Sequence, residues 1–172
     1  MNLQDTDFEL FAVPATFAQE RSALDARWKE LQREAHPDRF ASQGTAAQRI
    51  AMQWSVRINE AYQRLKDPVR RASYLCELNC APVNAENNTT MPADFLMQQM
   101  EWRETLDDVV DATSLGALND EVEAARARAL SSLDRLIDEK GDYPAAAQQV
   151  RALMFIERFA QDIENKSDQW GQ

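Results

Sequence analysis

The sequence predicts an all-α protein, and three observations carry that prediction. Glycine and proline are scarce, at 4 and 6 of 172 residues. Long stretches are built from Ala, Leu, Glu, Gln and Arg, the residues that lose least on entering a helix. No segment sustains the Val/Ile/Thr alternation of a strand, whereas apolar residues recur repeatedly at spacings of three and four.

Each element follows from that periodicity. A short apolar segment, "FELFAVP", stops at Pro14. Leu24, Trp28, Leu31 and Ala35 then mark one buried face of a helix that Pro37 ends, because the residue before a proline is pushed out of the α region. A second long helix carries the stripe Ile50, Trp54, Ile58, Ala61 and Leu65 and stops at Pro68. The connection between these helices is short and each has one apolar face, so they should pack antiparallel. "NAENNTT", at 84 to 90, offers nothing to a core and reads as a linker. Beyond it the pattern predicts three more helices, over about 91–111, 115–139 and 143–165. The middle one shows Leu118, Val122, Ala125, Ala129, Leu133 and Leu136, with Gly141 placed for a left-handed C-cap. The last shows Leu153, Ile156, Ala160 and Ile163, and the aperiodic tail "SDQWGQ" should fray. The expected organisation is a first domain over 1–80, a linker over 81–91 and a three-helix bundle over 92–172.

Charge narrows the function. The chain carries a net −10. Residues 1–78 are balanced, with 11 basic and 11 acidic side chains, so the excess lies in the second half, with 8 against 18. A surface that negative argues against nucleic acid as a partner, since phosphate binding needs clustered cations. The apolar runs fall short of a membrane span and the acidic N-terminus does not resemble a secretion signal, so no membrane and a cytoplasmic location are expected. Cys76, Cys80 and the single His36 cannot supply the four ligands of a structural zinc site, and the two cysteines are expected to be reduced thiols.

Two features look outward. On the helix over 91–111, Phe95, Trp102, Leu106 and Val109 share the expected core face. Leu96, Met97 and Met100 lie on the flank and far side, among Glu101, Glu104 and Asp108. An apolar group rimmed by charge, with methionines that adapt to a partner, describes a protein-binding surface; a broad face buried in a thick bundle would give the same pattern. Phe155 projects away from the stripe of the last helix, beside Arg151 and Arg158, and could extend such a patch.

The second feature is "HPDRF", at 36 to 40. His36 oriented by Asp38 could act as a general base. It could equally cap the preceding helix. Or the turn could be an epitope, in which Pro37 fixes the backbone and Asp38 meets a cation on a partner with little entropy left to lose. Lys29 and Arg33, one turn apart, form a basic row leading to the loop, with Arg27 on a neighbouring flank; alone such a row is usually a solvated face, and beside a rigid turn it is expected to guide an acidic partner. Arg39 and Phe40 are expected to anchor the loop's return to the second helix.

"ELFAVPATF", "RWKELQREAHPDRFA" and "INEAYQRLKDPVRRASYL", in that order over about 1–78, resemble the J-domain of co-chaperones that stimulate DnaK-type ATPases. "FLMQQMEWRETLDD" is similar to the start of the C-terminal bundle of HscB-type co-chaperones of iron-sulfur cluster assembly, so the resemblance spans nearly the whole chain. Metazoan members carry an N-terminal cysteine extension of zinc type that these residues do not show, so the bacterial form is the expected one.

The resemblance implies a fold, an N-terminal J-domain followed by a three-helix bundle, and a non-enzymatic role with no catalytic residue, cofactor or metal. It implies that His36, Pro37 and Asp38, supported by Arg27 and Arg33, engage an HscA-type ATPase chaperone; Lys29 matches no family contact and is added on electrostatic grounds. It also implies that Leu96, Met97, Met100, Glu101, Glu104, Asp108 and Phe155 bind an IscU-type iron-sulfur scaffold. A J-domain co-chaperone for a different client is the alternative.

Overall fold

The computed structural model describes residues 1–171 and holds seven α-helices and no strand among them. They are α1 (Asp7–Phe11), α2 (Arg21–Ala35), α3 (Thr45–Lys66), α4 (Pro68–Leu78), α5 (Ala93–Asp108), α6 (Ala112–Asp134) and α7 (Tyr143–Trp170). A 3-10 turn over Pro37–Gln43 joins α2 to α3, and a π-helical turn over Arg135–Glu139 extends α6. The chain forms two compact units, Met1–Tyr74 and a second beginning at Leu75.

In the first unit, α1 starts with a capping box: the Glu9 N–H donates to Thr6 Oγ1 (3.2 Å) and the Thr6 N–H donates to Glu9 Oε2 (2.7 Å). That cap fixes a helix of five residues whose Phe8, Leu10 and Phe11 are buried. Asp7 is also fully buried, which a carboxylate tolerates only when paired; Arg57 and Arg64 meet it at 2.7 and 3.2 Å. Cross-contacts run Asp25 to Tyr62, Trp28 to Asn59 and Gln32 to Ser55, so one number rises as the other falls and α2 and α3 are antiparallel, as their single apolar faces require. Leu24, Leu31, Ile58, Ala61 and Leu65 fill the seam, and truncating a leucine there to alanine would cost about 2–5 kcal/mol.

One member of the α3 stripe is misplaced by sequence reasoning. Ile50 is 56% exposed, and Ala51 takes the core position instead. The buried series is 51, 58, 61, 62 and 65, and at about 100° per residue Ile50 falls at the outer edge of that arc, beside Ala61, rather than within it. Pro68, read as a stop, also starts a helix. The Asp67 carboxylate accepts the Val69 N–H (2.9 Å), and proline suits a first helical position because the N–H it lacks would be unpaired anyway.

The second unit is built around α7, whose Ala147, Val150, Leu153, Ile156, Phe159 and Ile163 are all buried. Trp102 of α5 stacks on Phe159 (5.6 Å between centroids) and meets Phe95 edge-on (5.9 Å). Val109 is buried as expected, and Leu106 and Phe95 are half-buried. From α6 come Leu115, Leu118, Val122, Ala129 and Leu133. Ile137, not Leu136, takes the last core place, because the wider π-helical turn rotates less per residue and brings position 137 under Leu133. Gly141 closes that element with φ +62°, the left-handed conformation its position suggests.

The tail does not fray as expected. α7 continues through Ser167 and Asp168 to Trp170, and the Lys166 ammonium donates to the Leu106 carbonyl. Gln172, the last residue of that expectation and of the bundle range 92–172, lies outside the described residues. Nor is 81–91 a free linker. Val83 is buried, and Arg151 donates from Nε to the Val83 carbonyl (2.8 Å) and from Nη1 to the Thr90 carbonyl (3.0 Å), tying both ends of the stretch to α7. The division between the units falls earlier, within α4. Arg151 is therefore interior to the second unit, not part of an exposed flank.

Candidate protein-interaction sites

His36 is the residue at which α2 ends, with extended backbone (φ −63°, ψ 128°), as Pro37 requires of its predecessor. The Asp38 N–H donates to His36 Nδ1 at 3.2 Å. The ring therefore caps the turn that follows it rather than the helix before it, which corrects the capping expectation. The same bond speaks against a catalytic dyad. A base oriented by Asp38 needs Nδ1 to carry a proton toward the carboxylate, but Nδ1 is accepting, and Asp38 Oδ2 lies 3.7 Å away. Both side chains face water, that of Asp38 being 91% exposed.

The loop is solvated yet fixed. Pro37 sets φ, the Nδ1 contact pins Asp38, and Arg39 Nη1 reaches back to the Arg33 carbonyl at 3.3 Å, satisfying one of the unpaired acceptors at the end of α2. Arg39 thus anchors the loop onto the helix it leaves, α2, and not onto the second helix as expected.

Along α2 the positive charges are not equivalent. Arg21 is held by Asp25 (2.9 Å) and Arg27 by Glu30 (2.9 Å). The Tyr62 hydroxyl, and after it Arg21, hold the Asp25 carboxyl below the usual carboxylate range, so it stays charged and neutralises that end of the helix. Arg27 also turns inward, its Nη2 reaching the Leu10 carbonyl at 3.5 Å and its Nε buried without a partner, so it packs α1 rather than joining the exposed row. Lys29 and Arg33 are exposed and make no ion pair among the described residues. The basic side chains of α2 that are left without an ion pair among the described residues therefore lie in the half next to the loop, with the exposed Glu34 beside them.

On α5 the structure brings together most of the second predicted set. Leu96, Met97 and Met100 are 46%, 67% and 68% exposed, and Glu101, Glu104 and Asp108 stand exposed around them. The apolar group is on the surface, not in a thick bundle.

Phe155 is the exception and corrects the projection: it is only 8% exposed. It meets Phe95 edge-on at 5.8 Å and stacks on Phe159 at 5.9 Å. The stripe used to place it, 153/156/163, covers only one side of a helix that is buried on several. Above its ring lies Arg103, whose guanidinium carbon is 5.4 Å from the ring centroid and whose Nη1 is 4.0 Å from Asp162. Sequence reasoning missed Arg103, although it sits seven residues after Leu96 and hence on the same side of α5. It also missed Val110, 84% exposed in the turn after α5.

Neither site offers metal ligands: no group of three or more His, Cys, Asp or Glu among the described residues is placed to hold an ion. Cys76 is buried, its Sγ donating to the Tyr143 carbonyl, and burial pushes its thiol up to about 11; Cys80 is exposed. No helix among the described residues is long and apolar enough to cross a membrane.

Known proteins share this arrangement. A family model described as the HSCB C-terminal oligomerisation domain matches residues 91–164. A co-chaperone protein HscB homolog from Burkholderia thailandensis is 49% identical over 166 residues, 95% of this chain and 94% of that one. One from Bordetella parapertussis is 48% identical over 160 residues, 92% and 94% of the two chains. The structure of chaperone HscB from Vibrio cholerae superposes with a TM-score of 0.82 at 36% identity, covering 96% of this chain and 99% of that one. Human HscB superposes with a TM-score of 0.88, covering 97% and 84%, at 21% identity, a likeness of fold alone. With relatives this similar over nearly their whole length, and with a J-domain carrying His-Pro-Asp ahead of a three-helix bundle, the chain belongs to the HscB family of co-chaperones.

Proposed function

We propose that this co-chaperone recruits an IscU-type iron-sulfur scaffold through its second unit and presents it to an HscA-type, DnaK-like chaperone whose ATPase the first unit stimulates. The observation that carries the reading is the pairing of two solvent-facing surfaces of opposite character on one chain. One is a fixed His36-Pro37-Asp38 turn beside free Lys29 and Arg33. The other is the apolar, carboxylate-rimmed row Leu96, Met97 and Met100.

Stimulation needs no chemistry from this chain. Asp38, exposed and rigidly held, meets a cation of the ATPase and favours the conformation in which ATP is hydrolysed; Lys29 and Arg33 steer an acidic face of that partner into register. On α5, apolar burial supplies affinity, while Glu101, Glu104 and Asp108 select a scaffold surface with complementary positive charge. No cofactor of its own enters this scheme. Holding both partners at once makes hydrolysis depend on the presence of client, a coupling free energy between two sites.

The test is a pull-down and calorimetric titration with an IscU-type scaffold, alongside steady-state ATP hydrolysis by the HscA-type chaperone with and without scaffold. Capture of the scaffold together with greater than additive stimulation supports the proposal. Stimulation without scaffold capture would leave a J-domain co-chaperone for another client.

A further inference from the structure

We propose that the scaffold-binding surface continues beyond α5 into a methionine-lined cleft between the 84–91 stretch and α7, and that this cleft takes a short, extended, apolar-centred segment of the same scaffold protein. The inference rests on the scaffold-binding reading above and adds to it a second point of attachment.

The cleft has a volume of about 540 Å³ and is lined by Ala85, Thr89, Met91, Arg151, Met154 and Arg158, among others. That falls within the ~300–1,000 Å³ of clefts that hold ligands. It has room for a few side chains and none for a helix, which is about 10–12 Å across. Its shape is fixed in advance. Arg151 is buried behind it, with Nε and Nη1 already committed to the carbonyls of Val83 and Thr90, so the loop forming one wall is tied at both ends to the helix forming the other. A segment entering the cleft has no loop to order first, which removes a cost of binding.

Continuity with the α5 surface argues for the scaffold as occupant. Met91 is held against α5 by Gln99, whose Nε2 approaches Met91 Sδ at 2.9 Å. Met154 precedes Phe155, whose ring lies beneath Arg103 of α5. From Leu96 and Met100 the surface therefore runs along α5 past Gln99 to Met91 at the mouth of the cleft, while Phe155 stays buried beneath Arg103. Four of the six methionines of the chain belong to these two surfaces, Met97 and Met100 on the exposed side of α5 and Met91 and Met154 in the cleft. Met97 and Met100 are among the chain's most exposed large apolar residues, and Met91 and Met154 are half-buried. Unbranched, polarisable side chains gathered in this way suit a partner surface that is irregular or extended.

The probe is the full-length protein carrying 13C-labelled methionine methyl groups, titrated with unlabelled IscU-type scaffold, each resonance assigned by a single Met→Leu variant. The expected result is that Met91 and Met154 shift in parallel with Met97 and Met100, while Met1 and Met52 stay still. A rim substitution, Ala85→Phe, should weaken the scaffold Kd by about 5- to 10-fold without lowering the melting temperature, since Ala85 is exposed. Movement of Met97 and Met100 with Met91 and Met154 unmoved, and wild-type affinity in Ala85→Phe, would overturn the cleft while leaving the α5 site standing. Absence of any scaffold binding would overturn the reading on which it rests.

Discussion

Truncating the exposed row of α5 is the perturbation that tests the assignment most directly, because the structure gives both the size of the effect and its independence from folding. Fully burying a leucine or methionine is worth about 1.5–3 kcal/mol. Leu96 is 46% exposed and so has about 1 kcal/mol left to gain on binding; Met97 and Met100, 67% and 68% exposed, have about 1.5 kcal/mol each. Leu96→Ala should weaken the scaffold Kd about 5-fold, since about 1.4 kcal/mol is tenfold. Removing all three should cost about 3 kcal/mol, or roughly 100-fold, because alanine retains part of the contact and neighbouring contacts do not add fully. Stability should move by less than about 0.5 kcal/mol, as these groups are already largely in water. Calorimetric titration measures the first quantity and thermal unfolding the second. An unchanged Kd for the triple variant would refute the reasoning, and so would a melting temperature that falls with the affinity, since that would place the row in the core.

The other predictions are more compact. Asp38→Ala should abolish ATPase stimulation while scaffold affinity stays at wild type; normal stimulation would remove the turn from the interface. Phe155→Ala, unlike the α5 variants, should destabilise the second unit by about 3–5 kcal/mol, because the ring is buried between Phe95 and Phe159; an unchanged melting temperature would show it is free to act at the surface alone. Cys80 should alkylate readily at pH 8 while Cys76, with a thiol pushed up to about 11 and only about one molecule in a thousand ionised, should stay unmodified in the folded state; equal rates of mass addition would contradict its burial. Asp25 has a folded pKa below its unfolded one, so the stability it contributes is present above pH ~4 and is lost as pH falls through the depressed value. The stability gap between wild type and Asp25→Asn should accordingly close on acidification below about pH 4 and stay level above it; a constant gap down to pH 2 would exclude the linkage.

What could be read from the sequence depended on whether one helix or several decided a residue's surroundings. Leu24, Leu31, Ile58 and Leu65 were legible because α2 and α3 each bury a single stripe, and the periodicity of one helix then fixes the answer. Leu96, Met97 and Met100 were legible for the converse reason: α5 has one buried side, centred on Trp102, and whatever lies opposite must face water. Phe155 was misjudged because α7 is buried on several sides, so no single stripe defines its inside. Ile50 was misjudged because its spacing of four from Trp54 continues the stripe as plausibly as Ala51 does with its spacing of three. Arg151 could not be read at all. Its role is to bond the carbonyls of Val83 and Thr90, more than 60 positions away, and a backbone acceptor leaves no trace in the identity of the residue that carries it.

The two surfaces solve opposite problems, and their residues show it. The His-Pro-Asp turn presents few atoms, so its contribution depends on holding them still. Three restraints do this: the proline ring, the Asp38 N–H on His36 Nδ1, and Arg39 on the carbonyl of Arg33. This gives the lone histidine a role that needs neither its charge nor its basicity, only an unprotonated Nδ1. The α5 surface instead presents much area through side chains with many rotamers, and tolerates imprecision because burial is non-directional. Defects should differ accordingly. A loosened turn should lower maximal stimulation even at saturating co-chaperone, since the bound complex fails to shift the ATPase. A trimmed α5 row should only move the concentration at which scaffold is captured.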